Sequence, residues 1–167
     1  MKKQKSIGNK GFSLVELIIV IAIMAILIGV MAPQLLKYVE RTRVSSDTQF
    51  ADTVKTAVTT AILDPEVMTD TNYTTDVAAL STAKDLSTLA NGLGDAVAET
   101  LGEEKAGDIT ADWVKSQLKS EGAEKIMVQL EGKTKVVVTV TKSDGSVLIT
   151  VGDSASTPAA PAASPAG

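Results

Sequence analysis

Residues 10–17 read Lys10-Gly11-Phe12-Ser13-Leu14-Val15-Glu16-Leu17, and a run without a single polar side chain continues from Leu17 to Ala32. As a helix, residues 12–32 would span roughly 31 Å, which matches a bilayer hydrocarbon core of ~30 Å. Ten Leu, Ile and Val side chains in the run favour insertion by about 3 to 6 kcal/mol in total. A carboxylate near the helix end costs less than the roughly 2.5 kcal/mol or more that it would cost at the centre. The stretch is therefore predicted to be a membrane anchor that contains one acid, Glu16.

An ordinary secretory signal peptide fits this stretch less well. Such a peptide has an apolar region of roughly 7–15 residues followed by a small-residue cleavage site. Here the apolar run is longer and includes an acid, and its one candidate site, Val30-Met31-Ala32, is followed by Pro33.

The segment from Gly11 to Leu17 resembles the processing site of type IV prepilins. In that family a short basic leader ends in Gly, a membrane peptidase cleaves before Phe, the new amino group is N-methylated, and a Glu lies four residues after the Phe. The resemblance implies that Gly11 precedes the cleaved bond, that Phe12 becomes the methylated N-terminus, and that Glu16 is the assembly acid. It covers roughly residues 1–63, and beyond them it is only architectural.

Glu16 has two interpretations. A carboxylate near the membrane interface can reach water and have no further role. Alternatively, it neutralises the amino group of Phe12 on a neighbouring subunit, which has an ordinary pKa of about 7.7–8.0 and is therefore a cation when cleavage creates it. Because an unpaired charge in an apolar bundle is costly, and because the motif surrounds it, we favour the pairing with a neighbouring subunit.

Small residues recur in the anchor at spacings of three, four and three, namely Ala22, Ala25, Gly29 and Ala32. This spacing predicts a helix face on which sister subunits pack closely. Pro33 lacks the N–H that would bond the Gly29 carbonyl, so Gly29 and Pro33 are predicted to mark a helix break. The family resemblance implies local unwinding there in a filament.

Composition excludes several functions. The chain has 167 residues and a formal net charge of −4; without the four leader lysines, 12 basic and 20 acidic side chains remain, a net charge of −8. An acidic chain is not suited to nucleic acid, which requires a basic surface. Without cysteine or histidine, disulfides and thiolate metal sites are excluded and the commonest general base is missing. We expect no catalytic residue, no metal and no cofactor.

The predicted fold class is α+β, with a long N-terminal helix packed against a small three-stranded antiparallel sheet and short helices between them. The expected divisions are a cleaved basic leader over residues 1–11, a transmembrane and filament-core helix over 12–33, its amphipathic continuation over 34–63, a globular head over 64–153, and a disordered tail rich in Pro, Ala and Ser over 154–167.

Within the head, residues 64–122 are predicted to hold a loop and short helices, and residues 125–151 an antiparallel meander. The helices are expected at 77–89, 95–104 and 110–120, with Asn91-Gly92 and Gly94 ending the first. Trp113 and Leu118 are expected to contact the core. The residues predicted to face inward from the three strands are Ile126, Val128, Leu130, Val136, Val138, Val140, Val147, Ile149 and Val151.

Three functions follow from these features. The first is a structural subunit, not an enzyme, of an extracellular type IV pilus for adhesion, motility or DNA uptake. The second is a pseudopilin of a type II secretion or competence system, and the third is a monomeric membrane-anchored binding protein. The sizeable head, whose acidic loop lacks the spacing of a calcium-binding loop, favours the first.

The resemblance also implies partners and a location. The partners would be identical subunits, the prepilin peptidase and an assembly platform with its ATPase. The protein would cross the cytoplasmic membrane once before assembly and lie in an extracellular pilus afterwards, with its leader in the cytoplasm.

Overall fold

A computed structural model describes residues 12–132 and 134–152. Residues 1–11, Lys133 and residues 153–167 lie outside the described residues. The predicted cleaved leader and disordered tail therefore fall on residues that the structure does not describe. The chain divides into two compact units, Met1–Val39 and Glu40–Gly167, which we describe separately.

In the first unit, the described residues form the start of helix α1, which extends from Leu14 to Leu63. Every side chain over residues 12–39 is exposed. The long helix predicted over residues 12–63 is confirmed to within two residues. α1 continues through Gly29 and Pro33, so this structure shows no break at these two residues, and unwinding there in a polymer stays a prediction.

In the second unit, α1 is amphipathic as its sequence predicts. Ala51, Val54, Val58 and Ala61 are buried and face the core, at spacings of three and four that place them on one side of the helix. The helix ends at Leu63 because Pro65 restricts Asp64 to an extended conformation, with φ −70° and ψ 123°.

Short elements connect α1 to the sheet. They are α2 (Pro65–Met68), α3 (Tyr73–Ala79), β1 (Lys84–Asp85), a 3₁₀ turn (Leu86–Thr88), α4 (Asn91–Leu101), a second 3₁₀ turn (Ala106–Asp108) and α5 (Ala111–Gln117). The helix predicted at 110–120 is confirmed in place by α5, whose first turn is capped by the Thr110 hydroxyl. The helices predicted at 77–89 and 95–104 are wrong in their bounds.

The error comes from the glycines near residue 92. Asn91-Gly92 and Gly94 were expected to end a helix, but they form the first turn of α4. A Cβ on Gly94 would lie 2.8 Å from both the Ala106 Cβ and the Leu89 carbonyl carbon. Gly94 is therefore required by close packing between segments, which no local pattern reveals.

The C-terminal part is an antiparallel sheet in the order β1-β2-β3-β4. β2 (Ala123–Glu131), β3 (Lys135–Lys142) and β4 (Val147–Val151) form the predicted meander. The predicted three strands are corrected to four, because β1 pairs with β2 through Lys84 and Asp85. A strand of two residues is too short to show a period-two pattern.

The inward faces of the strands agree with the alternation except at one position. Val147 is 53% exposed, whereas Ile149 and Val151 are buried. The register between β3 and β4 shifts between Val140 and Thr141, and a bulge turns the residues beyond it to the other face. Val147 is thus a correction to the predicted core.

Trp113 and Leu118 are half-buried and pack against the core, as expected. The Trp113 ring lies 6.0 Å from that of Phe50, and its Nε1–H donates to Glu103 Oε1 at 2.6 Å. The ring therefore connects α5 to α1 and to the loop after α4.

Two acids of α1 hold the segment between α5 and β2. The buried Asp47 carboxylate accepts from the backbone N–H groups of Lys119 at 2.7 Å and Ser120 at 2.8 Å. Glu40 Oε1 accepts from the N–H of Glu121 at 3.1 Å. We call Glu40 and Asp47, with the three N–H groups that they bind, the acidic clamp. It gives partners to three consecutive backbone donors that β2 does not pair.

We expect Asp47→Asn to lower the free energy of unfolding of the second unit by about 1–3 kcal/mol, because an amide offers one acceptor oxygen where two N–H groups, that of Ser120 buried and that of Lys119 partly buried, need partners. Urea unfolding of the full chain in detergent, followed by Trp113 fluorescence, measures the change. Asp52→Asn, at an exposed position of the same helix, is the matched control. Equal stability of the two variants would contradict the role of the clamp.

The turn between β3 and β4 gives a second expectation. Hydrogen bonds from the side chain and backbone of Ser146 hold the pKa of Asp144 below its ordinary value, with the backbone N–H at 2.8 Å from Oδ1. This stabilisation is complete above the unfolded pKa of about 3.9 and is lost as the pH falls through the lower folded pKa.

We therefore expect Ser146→Ala to raise the pKa of Asp144 towards its ordinary value, since the hydroxyl donor is removed. An NMR titration of the Asp144 carboxyl carbon measures it, with Ser143→Ala in the same turn as control. An unchanged pKa in Ser146→Ala would refute the assignment.

Candidate functional site

The bond predicted to be cleaved joins Gly11 to Phe12, of which only Phe12 is among the described residues. Phe12 and Ser13 are not helical, and α1 begins at Leu14. The Phe12 side chain is 92% exposed. The residue that follows the predicted cleavage site therefore lies in non-helical backbone just before the helix, and no described residue covers it.

Glu16 folds back over the first turn of α1. Its Oε2 accepts from the backbone N–H of Ser13 at 2.8 Å. The Ser13 hydroxyl accepts a hydrogen bond from the N–H of Val15 at 3.4 Å. The Ser13 carbonyl accepts one from the N–H of Leu17 at 3.2 Å. Ser13 is thus the N-cap residue and Glu16 the third residue of the helix, a variant of the capping box.

The capping box was missed by the sequence interpretation, although Ser-x-x-Glu before an apolar run is its signature. Only water or another subunit was expected as the partner of Glu16. The structure gives the acid a local partner, and its negative charge is favourable at the positive end of the helix dipole. The carboxylate is therefore directed towards the backbone at the start of its own helix.

The structure places two of the predicted site residues, Phe12 and Glu16, at the same end of α1. Cleavage before Phe12 would create an amine one residue before Ser13, the residue whose N–H holds the Glu16 carboxylate. An acid and a new cation would then lie at the same end of an apolar helix. Such a pair offsets much of the cost of placing either charge in a low-dielectric environment.

The apolar surface of α1 up to Val39 is uncovered. One described helix, α1, is long and apolar enough to cross a membrane, and its most apolar window has a mean hydropathy of 3.0 with no buried residue. The small residues Ala22, Ala25, Gly29 and Ala32 share one side of this helix. Among the described residues, and apart from Gly29's chain neighbours and the adjacent helix backbone, no atom lies within 4 Å of where a Gly29 side chain would begin. This face is open to a partner, and its use in packing stays a prediction.

The acids after α1 serve local hydrogen bonds. Asp64 accepts from the N–H of Glu66, Asp70 from that of Asn72, and Asp76 from the side chain of Asn91. Among residues 12–132 and 134–152, no three acidic side chains gather as a metal site would require.

Comparison with known proteins identifies the N-terminal segment. Residues 8–32 match the family model of the prokaryotic N-terminal methylation motif. The type IV major fimbrial protein FimA of Dichelobacter nodosus is 42% identical over 56 residues, 34% of this chain and 36% of that protein. A fimbrial protein of Pseudomonas aeruginosa is 42% identical over 57 residues, 34% of this chain and 37% of its own. The chain thus spans about a third of the length of these relatives, and no solved structure matches it.

The capped, apolar start of α1 therefore lies within a segment that carries the prokaryotic N-terminal methylation motif. This N-terminal segment is similar to that of type IV fimbrial proteins.

We expect Glu16→Ala to speed hydrogen exchange at the Ser13 amide by roughly 2- to 30-fold, the range that corresponds to the loss of a helix cap. Glu16→Gln should change it little, because a glutamine side chain can accept the same bond. NMR-detected exchange of the full chain in detergent micelles measures both, with Glu66→Ala in α2 as control. Equal rates in Glu16→Ala and the unmodified chain would show that the capping bond is not formed in solution.

Proposed function

We propose that this protein is a structural subunit, not an enzyme, of an extracellular type IV pilus. In this proposal the prepilin peptidase cleaves between Gly11 and Phe12, Phe12 is N-methylated, and the subunits polymerise through the first half of α1. The fimbrial names of the relatives and the methylation motif support the proposal.

The observation that carries the proposal is the position of the Glu16 carboxylate. It is held at the N-terminal end of a helix whose surface over residues 12–39 is otherwise uncovered and almost wholly apolar. When such helices gather in a bundle, a lone carboxylate there loses its water and is costly. The cationic amine of Phe12 on a neighbouring subunit offsets that cost, and the pairing fixes the register between the two subunits.

In this proposal, the uncovered surface of α1 is covered by lipid before assembly and by other subunits afterwards. Before assembly, lipid covers it, because its length and hydropathy suit a bilayer. After assembly, the helices of other subunits replace the lipid, and the face of Ala22, Ala25, Gly29 and Ala32 permits the close approach of their backbones. The subunit would thus cross the cytoplasmic membrane before an assembly platform, powered by its ATPase, adds it to the pilus.

We expect Glu16→Gln to reduce the polymer by about tenfold or more, which corresponds to roughly 1.4 kcal/mol per subunit addition. Because glutamine keeps the capping bond and removes only the charge, the loss would isolate the ion pair with the neighbouring amine. The measurement compares polymer sheared from cells with the subunit that remains in the membrane fraction. Glu66→Gln, an exposed acid of α2, is the matched control.

The same material tests each part of the proposal. Negative-stain electron microscopy should show long fibres, and mass spectrometry of their main protein should find a methylated Phe12 as the first residue. Fibres that retain residues 1–11 would refute processing, and a Glu16→Gln variant that polymerises normally would refute the ion pair. If the unmodified chain is processed and inserted but forms no fibre, the pilus function itself is wrong.

A further inference from the structure

The connection from α2 into α3 contains the triplet Asn72-Tyr73-Thr74. An asparagine followed two residues later by serine or threonine, with no proline between them, is the acceptor sequence for N-linked sugars. Of the three asparagines in the chain, Asn72 is the one that stands in such a sequence. A triplet this short also occurs by chance, so we compare its side chains with those of the other turns.

The side chains of Asn72 and Thr74 are both exposed, as an acceptor sequence has to be for an enzyme to reach it. Tyr73, between them, is half-buried, and its hydroxyl donates to the Ile62 carbonyl at 2.9 Å. Within residues 12–132 and 134–152, the side-chain amide of Asn72 and the hydroxyl of Thr74 form no hydrogen bond. Tyr73 therefore holds the triplet against the end of α1, while the two side chains that a transferase would use remain accessible.

The local fold does not account for an asparagine at position 72. Asparagine and aspartate are common in turns because their side chains bond nearby backbone or because they tolerate positive φ. Asp64, Asp70 and Asp85 show the first use, since each accepts from the N–H two residues later, at 2.8, 2.7 and 3.0 Å. Asn91 shows the second, with φ 57°. Asn72 shows neither, because its φ is −92° and its side chain makes no capping bond.

The backbone of Asn72, in contrast to its side chain, is fully bonded. Its N–H donates to Asp70 Oδ1 at 2.7 Å, and its carbonyl accepts from the N–H groups of Thr75 and Asp76, both at 2.9 Å. The side-chain amide is therefore presented at a defined place on the surface of the second unit. The Asp70 carboxylate also gives the same turn a negative charge, which a cationic side chain of a transferase can bind.

We propose that Asn72 is a site of N-linked glycosylation. The donor would be an oligosaccharide that a membrane lipid carries through a pyrophosphate, and the acceptor would be the side-chain nitrogen of Asn72. The inference rests on the proposed function, which places the second unit outside the cytoplasm, where this acceptor sequence is used. It adds a covalent modification of the second unit, which the polymerisation through α1 does not require.

The transfer exchanges one bond for another. Asn72 Nδ2 attacks the first carbon of the sugar, and a carbon–nitrogen bond forms there. The bond between that carbon and the phosphate oxygen breaks, and the lipid pyrophosphate leaves with its electron pair. The amide nitrogen loses one proton to a base of the transferase. The Thr74 hydroxyl is bound by the transferase during this step and is itself unchanged.

The position of the site is compatible with the polymer proposed above. Contacts between subunits are assigned there to the first half of α1, whereas Asn72 belongs to the second unit. A sugar is bulky and hydrophilic and requires a place on the surface, which the exposed Asn72 side chain provides. We therefore expect chains with and without the sugar to polymerise equally.

The test is the mass of the tryptic peptide over residues 56–84, released from the full chain isolated from the cells that make it. We expect this peptide to carry the added mass of whole sugar residues, and fragmentation to place that mass on Asn72. Asn72→Gln and Thr74→Ala should both lose the added mass, because each destroys the triplet. Thr74→Ser should keep it, since serine supplies the same hydroxyl. Thr75→Ala, at the next exposed threonine, is the matched control and should also keep it.

Three results would overturn the inference. One is a peptide without added mass in both the membrane fraction and sheared polymer. Another is a sugar that remains in Asn72→Gln, since it would then lie on a hydroxyl of the same peptide. The third is an equal loss in Thr74→Ala and Thr75→Ala, because the triplet would then not be what the transferase recognises.

Measuring both fractions separates this inference from the proposed function, because the sugar would be added at the membrane before assembly. Fibres whose Asn72 carries no sugar refute only the glycosylation. A sugar on Asn72 in a chain that forms no fibre refutes only the pilus. Trp113 fluorescence of each variant reports whether it keeps the fold of the second unit.

Discussion

The hydrogen bond from the Ser13 N–H to the Glu16 carboxylate, 2.8 Å long, fixes the position of the one acid in the apolar first part of α1. A carboxylate at the start of an almost wholly apolar helix surface is costly wherever that surface is covered and water is excluded. The helix dipole and the capping donor supply part of the compensation for that charge within the chain. In the proposed pilus, the remainder would come from the amine that cleavage before Phe12 creates at the same helix end.

α1 meets different requirements in the two units. Over residues 12–39 every side chain is exposed, so its apolar surface gains nothing from the chain's own core. From Glu40 onward the same helix buries one side against the sheet and the short helices, with Ala51, Val54 and Val58 fully buried. The acidic clamp fixes the connection that leads into β2.

Much of this arrangement could be predicted from local sequence. The length of the apolar run predicts a membrane anchor, because hydrocarbon thickness sets the number of residues needed. The Asp64-Pro65 pair defines the end of α1 because proline restricts the residue before it. Period-two alternation located β2, β3 and most of β4, because a half-buried strand has to alternate. Even the capping box is present in the spacing of Ser13 and Glu16, although it was not recognised there.

The sequence by itself determined the methylation motif, the apolar run with its acid, the extent of α1 and the antiparallel meander, because each depends on residues close together in the chain. Only the tertiary structure decided the fourth strand, the place of Gly94 in α4, the exposure of Val147 and the acidic clamp. Asp47 binds N–H groups 72 and 73 residues away, and Gly94 is fixed by the approach of Ala106. Such contacts depend on which segments the folded chain brings together, and a local pattern contains no record of that.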